Sequence, residues 1–195
     1  MMELNKKNWN SRYDTKETGW DIGFVSPPLK EYIDQITDLN IKILIPGCGN
    51  AYEAEYLFNK GFKNVFIVDY SQIAISNLIK RIPDFPIFNA VCDDFFNING
   101  QYDLILEQTF FCAIDPKLRN NYAKQISSLL KENGKLVGLF FSVPMFSDHP
   151  PFGGSKQEYI ECFSKLFSIN TIEKCYNSIK SRNNKELFFI FNKKE

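Results

Sequence analysis

The stretch from residue 41 to residue 69 constrains the fold of this chain more than any other. An apolar run at residues 41–45 leads into Pro46-Gly47-Cys48-Gly49-Asn50, a helical pattern follows, and a second apolar run ends at Asp69. Glycines let the backbone turn sharply off the end of a strand while the amide groups of the next helix point toward a ligand. The pattern therefore predicts a strand, a glycine turn, a helix and a second strand with an acid at its tip.

This unit is typical of sites that bind a nucleotide or a nucleoside. Asp69 follows Gly49 by 20 positions, the spacing at which an acid can accept hydrogen bonds from both ribose hydroxyls. Dinucleotides and S-adenosylmethionine are both bound in this way, so the unit alone leaves both open. The dinucleotide motif needs a third glycine, and Tyr52, which stands at that position, would crowd a pyrophosphate. These details favour a ligand without phosphates.

Length and charge narrow the class of protein further. The 195 residues suffice for one well-buried α/β domain, and we expect a single domain over residues 1–195. The formal net charge of +0 favours neither nucleic acid nor an anionic membrane surface as a partner, and no apolar segment has the length of a membrane span. We therefore expect a small-molecule partner, and a monomer or weak dimer.

The cysteines indicate whether the protein resides in an oxidising or a reducing compartment. They are five in number, form no C-x-x-C pair and have no histidine cluster beside them. This pattern argues against a disulfide framework and against a zinc site, so we expect no metal. The N-terminus, residues 1–10, is polar and lacks the apolar core of a signal peptide. A cytoplasmic protein is the expectation.

The leader before the first strand carries three large aromatic residues. Trp9 and Tyr13 are four positions apart and therefore on one helix face, and Trp20 follows in a loop. The rings could cover the sheet edge, or they could enclose a sulfonium cation and exclude water. Because the only two tryptophans of the chain stand in this polar leader, we interpret residues 1–38 as a lid.

Strands and helices alternate along the rest of the chain. In the leader we predict two helical pieces, with breaks near Thr18-Gly19 and at Pro27-Pro28. Further helices are predicted from Ser71 to Arg81, from Pro116 to Lys131 with a stop at Asn133-Gly134, and at residues 157–166. Strands are predicted at residues 86–91, 102–107, 135–141, 167–176 and 186–191. The sum is five β/α units followed by a hairpin.

Two further strand ends carry candidate site residues. Asp94 and Phe95 follow the third strand, where a carboxylate can accept from the exocyclic amine of adenine and an aromatic ring can pack on the base. The fourth strand ends in Glu107 and Gln108, and Phe111 follows shortly after. Because ligands lie outside the carboxyl ends of strands in an open parallel sheet, we expect these residues to face the reacting centre.

In their order, the motifs of this chain resemble those of one family. They are Trp9, Tyr13 and Trp20, Leu44-Ile45-Pro46-Gly47-Cys48-Gly49, Asp69, Asp94-Phe95-Phe96, Thr109-Phe110-Phe111-Cys112-Ala113-Ile114 followed by Asp115-Pro116, and Pro150-Pro151-Phe152. From about Trp9 to Phe191 the chain resembles the thiopurine S-methyltransferase superfamily, and most closely its thiol and halide methyltransferase branch. The resemblance implies an α/β fold: a single-domain, Rossmann-like class I methyltransferase with a seven-stranded, mostly parallel sheet, a C-terminal antiparallel hairpin and an N-terminal helical lid.

The resemblance also implies a cofactor and roles for site residues. S-adenosyl-L-methionine would be the cofactor, and the residues that would bind it are Trp9, Tyr13, Trp20, Gly47, Gly49, Asp69, Asp94, Phe95 and Gln108. Tyr13 replaces a Trp of the plant-type members and keeps an aromatic face. Gln108 stands where a Tyr is usual, so the choice of acceptor is the property that this difference affects. Candidates near the acceptor are Gln108, Phe111 and His149.

The implied reaction is methyl transfer to a small soft nucleophile: a thiol, sulfide, thiopurine or halide. A thiol with a pKa of about 8.5 is partly ionised at neutral pH, and a halide carries no proton, so alignment matters more than a base. An O- or N-methyltransferase is the alternative and would need Glu107 or His149 as its base, although a lone loop histidine more often serves only as a surface or hydrogen-bonding residue. A nicotinamide oxidoreductase and a non-enzymatic adenosyl-binding protein are less favoured hypotheses.

Overall fold

A seven-stranded sheet forms the centre of the protein in a computed structural model that describes residues 4–194. The strands are Lys42–Pro46 (β1), Asn64–Val68 (β2), Ala90–Val91 (β3), Tyr102–Gln108 (β4), Leu130–Phe141 (β5), Phe167–Lys174 (β6) and Glu186–Lys193 (β7). Their order is β3-β2-β1-β4-β5-β7-β6. The first five strands are parallel to one another, whereas β7 is antiparallel to both β5 and β6. The predicted seven-stranded, mostly parallel sheet with an antiparallel end is confirmed.

Helices cover both faces of the sheet. They are Lys6–Asp14 (α1), Pro27–Asp34 (α2), Tyr52–Asn59 (α3), Gln72–Arg81 (α4), Arg119–Leu129 (α5) and Lys156–Phe163 (α6). Successive residues of β1 point to opposite faces of the sheet, so Ile43 and Ile45 pack with α2, α3 and α4, while Leu44 packs with α5 and α6. Among residues 4–194, no helix combines the length and the apolar character needed to cross a membrane.

The third strand is shorter than the sequence predicts. Residues 87–89 form a 3-10 turn, and only Ala90 and Val91 pair with β2. Pro86 has no amide hydrogen to donate to a neighbouring strand, and the side chains of Ile87 and Phe88 are 56% and 93% exposed. Nothing in the core holds this segment extended, so the prediction of a strand at residues 86–89 is wrong.

Two helix boundaries also differ from the prediction. Pro27-Pro28 begins α2 rather than breaking a helix, because proline lacks only an amide hydrogen that the first turn of a helix leaves unpaired. The helix predicted to reach Lys131 ends at Leu129, where β5 takes over. The Asn133-Gly134 pair lies inside β5 and makes an irregularity in its pairing with β4, since Asn133 has a φ of 59°.

Gly138 allows β4 and β5 to lie close together beside the site. A Cβ atom at this position would lie 2.5 Å from the Cβ of Glu107 and would overlap the Glu107 carbonyl oxygen. Gly138→Ala should therefore lower the free energy of unfolding by about 1–3 kcal/mol, measured by urea denaturation. Gly19→Ala is the control, because nothing lies within 4 Å of a Cβ at that position. An equal loss in both variants would contradict the packing argument.

Candidate active site

A cavity of about 490 Å3 lies at the carboxyl ends of the parallel strands. Gly47 after β1, Asp69 after β2, Asp94 after β3 and Thr109 after β4 all line it. This is where an open parallel sheet binds its ligands, and the volume is typical of pockets that bind small molecules.

The glycine turn after β1 is shaped by two close contacts. Gly47 has a φ of +56°, and a Cβ there would overlap the ring of Phe110 and lie 2.8 Å from the Phe110 Cβ. Gly49 has a φ of +55°, and a Cβ there would lie 3.0 Å from the Tyr13 hydroxyl. The Phe110 ring leaves no room for a side chain at Gly47, and at Gly49 the left-handed backbone and the Tyr13 hydroxyl both disfavour one.

Asp69 is fixed by the backbone on both of its carboxylate oxygens. Oδ2 accepts from the amide of Gly49 at 2.9 Å, and Oδ1 accepts from the amide of Ser71 at 2.7 Å. Burial raises the pKa of this carboxyl. Each oxygen can accept a further hydrogen bond, so the carboxylate enters the cavity with its orientation fixed and part of its accepting capacity unused.

The segment after β3 lines the same cavity with an acid and an aromatic ring. The Asp94 side chain accepts from the amide of Phe96 at 2.9 Å. Phe95 is 3% exposed, and its ring packs edge-on against Phe110 at 5.4 Å between centroids. Asp94 and Phe95 thus form a wall beside Asp69, as the sequence predicts.

The three leader aromatics meet over the cavity. The Trp20 ring packs edge-on against Trp9 at 5.4 Å and against Tyr13 at 5.7 Å, and Trp20 Nε1 donates to the Tyr13 hydroxyl at 3.4 Å. Burial raises the pKa of Tyr13, so its hydroxyl stays neutral. The guanidinium of Arg12 lies 4.6 Å from the centroid of Trp20 and also lines the cavity. The Arg12 guanidinium therefore already covers part of the Trp20 ring, a contact that the sequence does not predict.

Comparison with known proteins identifies the family. The family model described as Thiopurine S-methyltransferase (TPMT) matches residues 4–194. The chain belongs to this family. A relative from Arabidopsis thaliana named "Probable thiol methyltransferase 2" is 30% identical over 164 residues, which cover 82% of this chain and 72% of the relative. "Thiocyanate methyltransferase 1" of Brassica oleracea is 28% identical over 189 residues, which cover 94% and 83%.

Solved structures share the fold of this thiopurine S-methyltransferase family member. The 1,6-didemethyltoxoflavin-N1-methyltransferase of Burkholderia thailandensis, with bound S-adenosylhomocysteine, has a TM-score of 0.78 at 16% identity and is covered to 87%, against 97% of this chain. Magnesium protoporphyrin IX methyltransferase of Synechocystis PCC 6803, with bound S-adenosylmethionine, has a TM-score of 0.74 at 12% identity, with 100% of this chain and 99% of that chain covered. The class I methyltransferase fold implied by the resemblance is confirmed.

This family member is an S-adenosylmethionine-dependent methyltransferase, and the oxidoreductase and non-enzymatic hypotheses give way to that assignment. The residues in place fit the cofactor. The fixed carboxylate of Asp69 can accept from ribose hydroxyls, and the left-handed Gly47 and Gly49 leave the turn without side chains. The aromatic walls on both sides exclude water from a cationic ligand.

The part of the lining that comes from the turn after β4, the end of β5 with the loop after it, and the β6–β7 hairpin is mostly apolar. We call it the acceptor end, and its lining includes Phe110, Cys112, Ala113, Ile114, Leu118, Phe141, Met145, Pro150 and Pro151. Burial raises the pKa of the Cys112 thiol to about 12, so it stays protonated. Asp115 also lines this end, and its carboxylate accepts from the amide of Lys117 at 2.9 Å. Arg182 and Lys185 from the hairpin complete the wall.

Three candidates for the acceptor site lie elsewhere. Phe111 is 1% exposed and packs in the core against Phe140 at 4.9 Å between centroids. Gln108 lines a separate small pocket of about 50 Å3 beside the glycine turn, and its buried Oε1 has no hydrogen-bond partner within the protein. His149 stacks on Phe146 at 4.0 Å, and its Nδ1 lies 2.9 Å from the carbonyl oxygen of Pro150. None of the three is among the residues that line the main cavity.

The turn after β4 carries two adjacent phenylalanines with different surroundings: Phe110 lines the cavity, and Phe111 is buried in the core. Thr109 has a φ of 60°, a conformation that costs a non-glycine residue of order 1 kcal/mol or more. The left-handed residue ends β4 and turns the chain directly before the two rings. The sequence does not predict this turn, because threonine gives no signal of a left-handed conformation.

Glu107 stabilises that strained turn. Its Oε1 accepts from the amides of Phe110 at 2.8 Å and Phe111 at 2.9 Å, and its Oε2 accepts from the Tyr122 hydroxyl at 2.6 Å. Glu107 is fully buried, and burial raises the pKa of its carboxyl to about 7. It does not line the cavity, so the geometry gives it a structural role and does not place it as a base.

Residues 4–194 contain no group of three or more His, Cys, Asp or Glu side chains that could hold a metal ion.

The raised pKa of Glu107 makes stability depend on pH in a defined window. The folded state binds a proton at Glu107 more tightly than the unfolded chain, so this group's contribution to stability falls as the pH rises from about 4.5 to about 7. Replacing it by a neutral isostere removes that slope, which is at most about 1.4 kcal/mol per pH unit. In urea denaturation at several pH values, the stability of Glu107→Gln relative to the unmodified protein should rise between pH 5 and pH 8.

The matched control is Glu132→Gln, an exposed glutamate in β5. Its denaturation curves should follow those of the unmodified protein at every pH. If Glu107→Gln also runs parallel to the unmodified protein, the Glu107 carboxyl does not carry a raised pKa.

Proposed function

We propose that this methyltransferase transfers a methyl group to a small, soft nucleophile: a thiol, sulfide, thiopurine or halide. The observation that carries the proposal is the character of the acceptor end, where apolar walls prevail and the two candidate bases, Glu107 and His149, are not part of the lining. Asp115 does line it, but one oxygen of its carboxylate is engaged by the amide of Lys117, at the start of the turn that follows. A nucleophile that arrives already ionised needs none of these groups.

The chain contributes orientation and exclusion of water to this reaction. The chemistry that the bound cofactor supplies is an electrophilic methyl group on a sulfonium sulfur. Phe110, Phe141 and the leader aromatics exclude water from the acceptor, which leaves a soft anion poorly solvated and more reactive. Correct alignment of two reactants can supply roughly 7–11 kcal/mol, so a base is not required to account for catalysis.

We assign the cofactor-binding roles to the residues that the structure brings together around the cavity. Asp69 accepts from the ribose, Asp94 and Phe95 bind the adenine, and Trp9, Tyr13 and Trp20 form the lid. These side chains lie in one continuous wall, which supports the assignment. Gly47 and Gly49 border the methionine part, and Gln108 lies in the small neighbouring pocket that the same two glycines line.

The cavity volume supports a small acceptor. The whole space measures about 490 Å3 and must hold both reactants, while single ligand pockets commonly have 300–1,000 Å3. The names of the relatives, a thiol methyltransferase and a thiocyanate methyltransferase, agree with small sulfur acceptors.

The setting of the enzyme is part of the proposal. Its five cysteines are all free thiols, as in a reducing compartment, which supports a cytoplasmic location. A net charge of +0 supports a small-molecule partner over nucleic acid or a membrane surface. We propose one domain over residues 1–195 with the lid in residues 1–38, acting as a monomer or weak dimer.

The acceptor class can be tested with labelled S-adenosylmethionine and a panel of sulfide, thiocyanate, iodide, small thiols and a thiopurine, with a phenol and an amine as hard acceptors. Soft acceptors should be methylated. The rate with iodide should stay level between about pH 6 and 9, while the rate with a thiol should rise with thiolate ionisation toward a pKa of about 8.5. Methylation of the phenol or the amine alone would show that the enzyme uses a base.

The role of Asp69 is tested by Asp69→Asn. The amide keeps one acceptor oxygen but places an NH2 group against a backbone amide that the carboxylate now satisfies, either Gly49 or Ser71. Binding of S-adenosylhomocysteine in calorimetry should weaken by about 1–3 kcal/mol. Asp69→Ala is a poorer test than the sequence suggests, because it would leave both amides unpaired and disturb the glycine turn itself.

Asp84→Asn serves as the control, since this aspartate is exposed and does not line the cavity. Its affinity for S-adenosylhomocysteine should equal that of the unmodified protein. Unchanged affinity in Asp69→Asn as well would refute the ribose assignment.

A further inference from the structure

Arg182 joins the two ends of the chain. It lies in the 3-10 turn Lys180–Arg182 between β6 and β7, is 9% exposed and lines the cavity. Its Nη2 donates to the backbone carbonyl oxygen of Trp20 at 2.7 Å, across a separation of 162 positions. The hairpin therefore holds the loop that carries one of the lid aromatics.

The charge of Arg182 is already balanced and its orientation is fixed. Its Nη1 lies 3.4 Å from Oε1 of Glu186, which is itself 2% exposed. The guanidinium carbon lies 5.6 Å from the centroid of the Phe141 ring. A guanidinium that is paired, stacked and hydrogen-bonded keeps one geometry. It is therefore suited to hold a neighbouring segment in place and less suited to capture a diffusing anion.

Trp20 is the member of the lid on which the other members depend. Trp9 and Tyr13 both pack edge-on against its ring, and Arg12 lies over it. A hydrogen bond to the Trp20 backbone restricts the loop and, through the ring, restricts these neighbours. The rest of the lid is attached to the cofactor side of the sheet, by the Ser71 hydroxyl donating to Asn10 at 2.9 Å and by the Asn50 amide donating to Asp21.

We propose that Arg182 is a positioning residue that attaches the lid to the C-terminal hairpin and keeps the aromatic wall formed before the cofactor binds. The proposal rests on the lid role proposed above for Trp9, Tyr13 and Trp20. A wall that is already in place removes the cost of ordering a loop on binding. Arg182 lies in the lining of the acceptor end but acts on the cofactor end, and that separation makes the role testable.

The test uses Arg182→Met in the full chain, with Lys180→Met as the matched control. Lys180 lies in the same turn and loses the same charge, but it is exposed and does not line the cavity. Because Trp9 and Trp20 are the only two tryptophans, their fluorescence reports on the lid without any ligand. Arg182→Met should increase acrylamide quenching of the ligand-free protein, whereas Lys180→Met should leave it unchanged.

Binding and kinetics give the second readout. Losing one charge-assisted hydrogen bond should weaken S-adenosylhomocysteine binding about tenfold in calorimetry. At saturating cofactor, the acceptor KM of Arg182→Met should equal that of the unmodified enzyme. A raised acceptor KM with unchanged quenching and unchanged S-adenosylhomocysteine affinity would overturn the proposal, because Arg182 would then bind the acceptor.

A second variant controls for unfolding caused by the Arg182→Met substitution itself. Arg182→Met leaves the buried carboxyl of Glu186 without its partner, so Arg182→Met combined with Glu186→Gln removes the unpaired charge. The double variant should fold and still show increased quenching and weakened S-adenosylhomocysteine binding. Quenching equal to that of the unmodified protein would overturn the proposal. Quenching of the ligand-free protein does not depend on which acceptor is methylated. Failure of the positioning role of Arg182 can therefore be distinguished from failure of the proposed acceptor class.

Discussion

The carboxylate of Asp69 is the interaction on which the site depends. It accepts from the amide of Gly49 on one side and from that of Ser71 on the other, so one half-buried side chain holds the glycine turn after β1 and the entry to α4 at the same time. Ser71 in turn caps α4 by accepting from the amide of Ala74 at 3.2 Å and donates to Asn10 in the lid. The turn, the helix and the lid are thereby positioned around one carboxylate that lines the cavity at the end of β2.

Glu107 repeats this arrangement at the end of β4 with a different outcome. Like Asp69, it accepts from two backbone amides, but its second oxygen is taken by the Tyr122 hydroxyl. Asp69 lines the cavity and Glu107 does not. The carboxyls at the ends of β2 and β4 thus have different roles. Asp69 keeps accepting capacity for a ligand, whereas Glu107 stabilises a strained turn that places Phe110 against Gly47.

The sequence predicts what local patterns encode and misses what distant contacts decide. The glycine turn, the acid at position 69 and the alternation of strands and helices follow from spacing and periodicity, and they carry the fold and the cofactor end of the site. Phe110 and Phe111 are alike in sequence, yet Phe110 lines the cavity and Phe111 is buried in the core, after a left-handed turn at Thr109 that the sequence does not predict. Arg182 gives no sequence signal at all, because its partner is a backbone carbonyl 162 positions away.

The two ends of the cavity differ in how far the sequence predicts them. The cofactor end consists of groups with directional hydrogen bonds, and those can be recognised from residue types at fixed spacing. The acceptor end consists mainly of apolar walls, contributed by the turn after β4, the loop after β5 and the hairpin. Apolar walls select an acceptor by its shape and by the free-energy cost of removing its water, and neither requires particular residue types at a fixed spacing. An enzyme that relies on this kind of selection needs an acceptor whose reactivity rises when water is removed, and soft anions have that property.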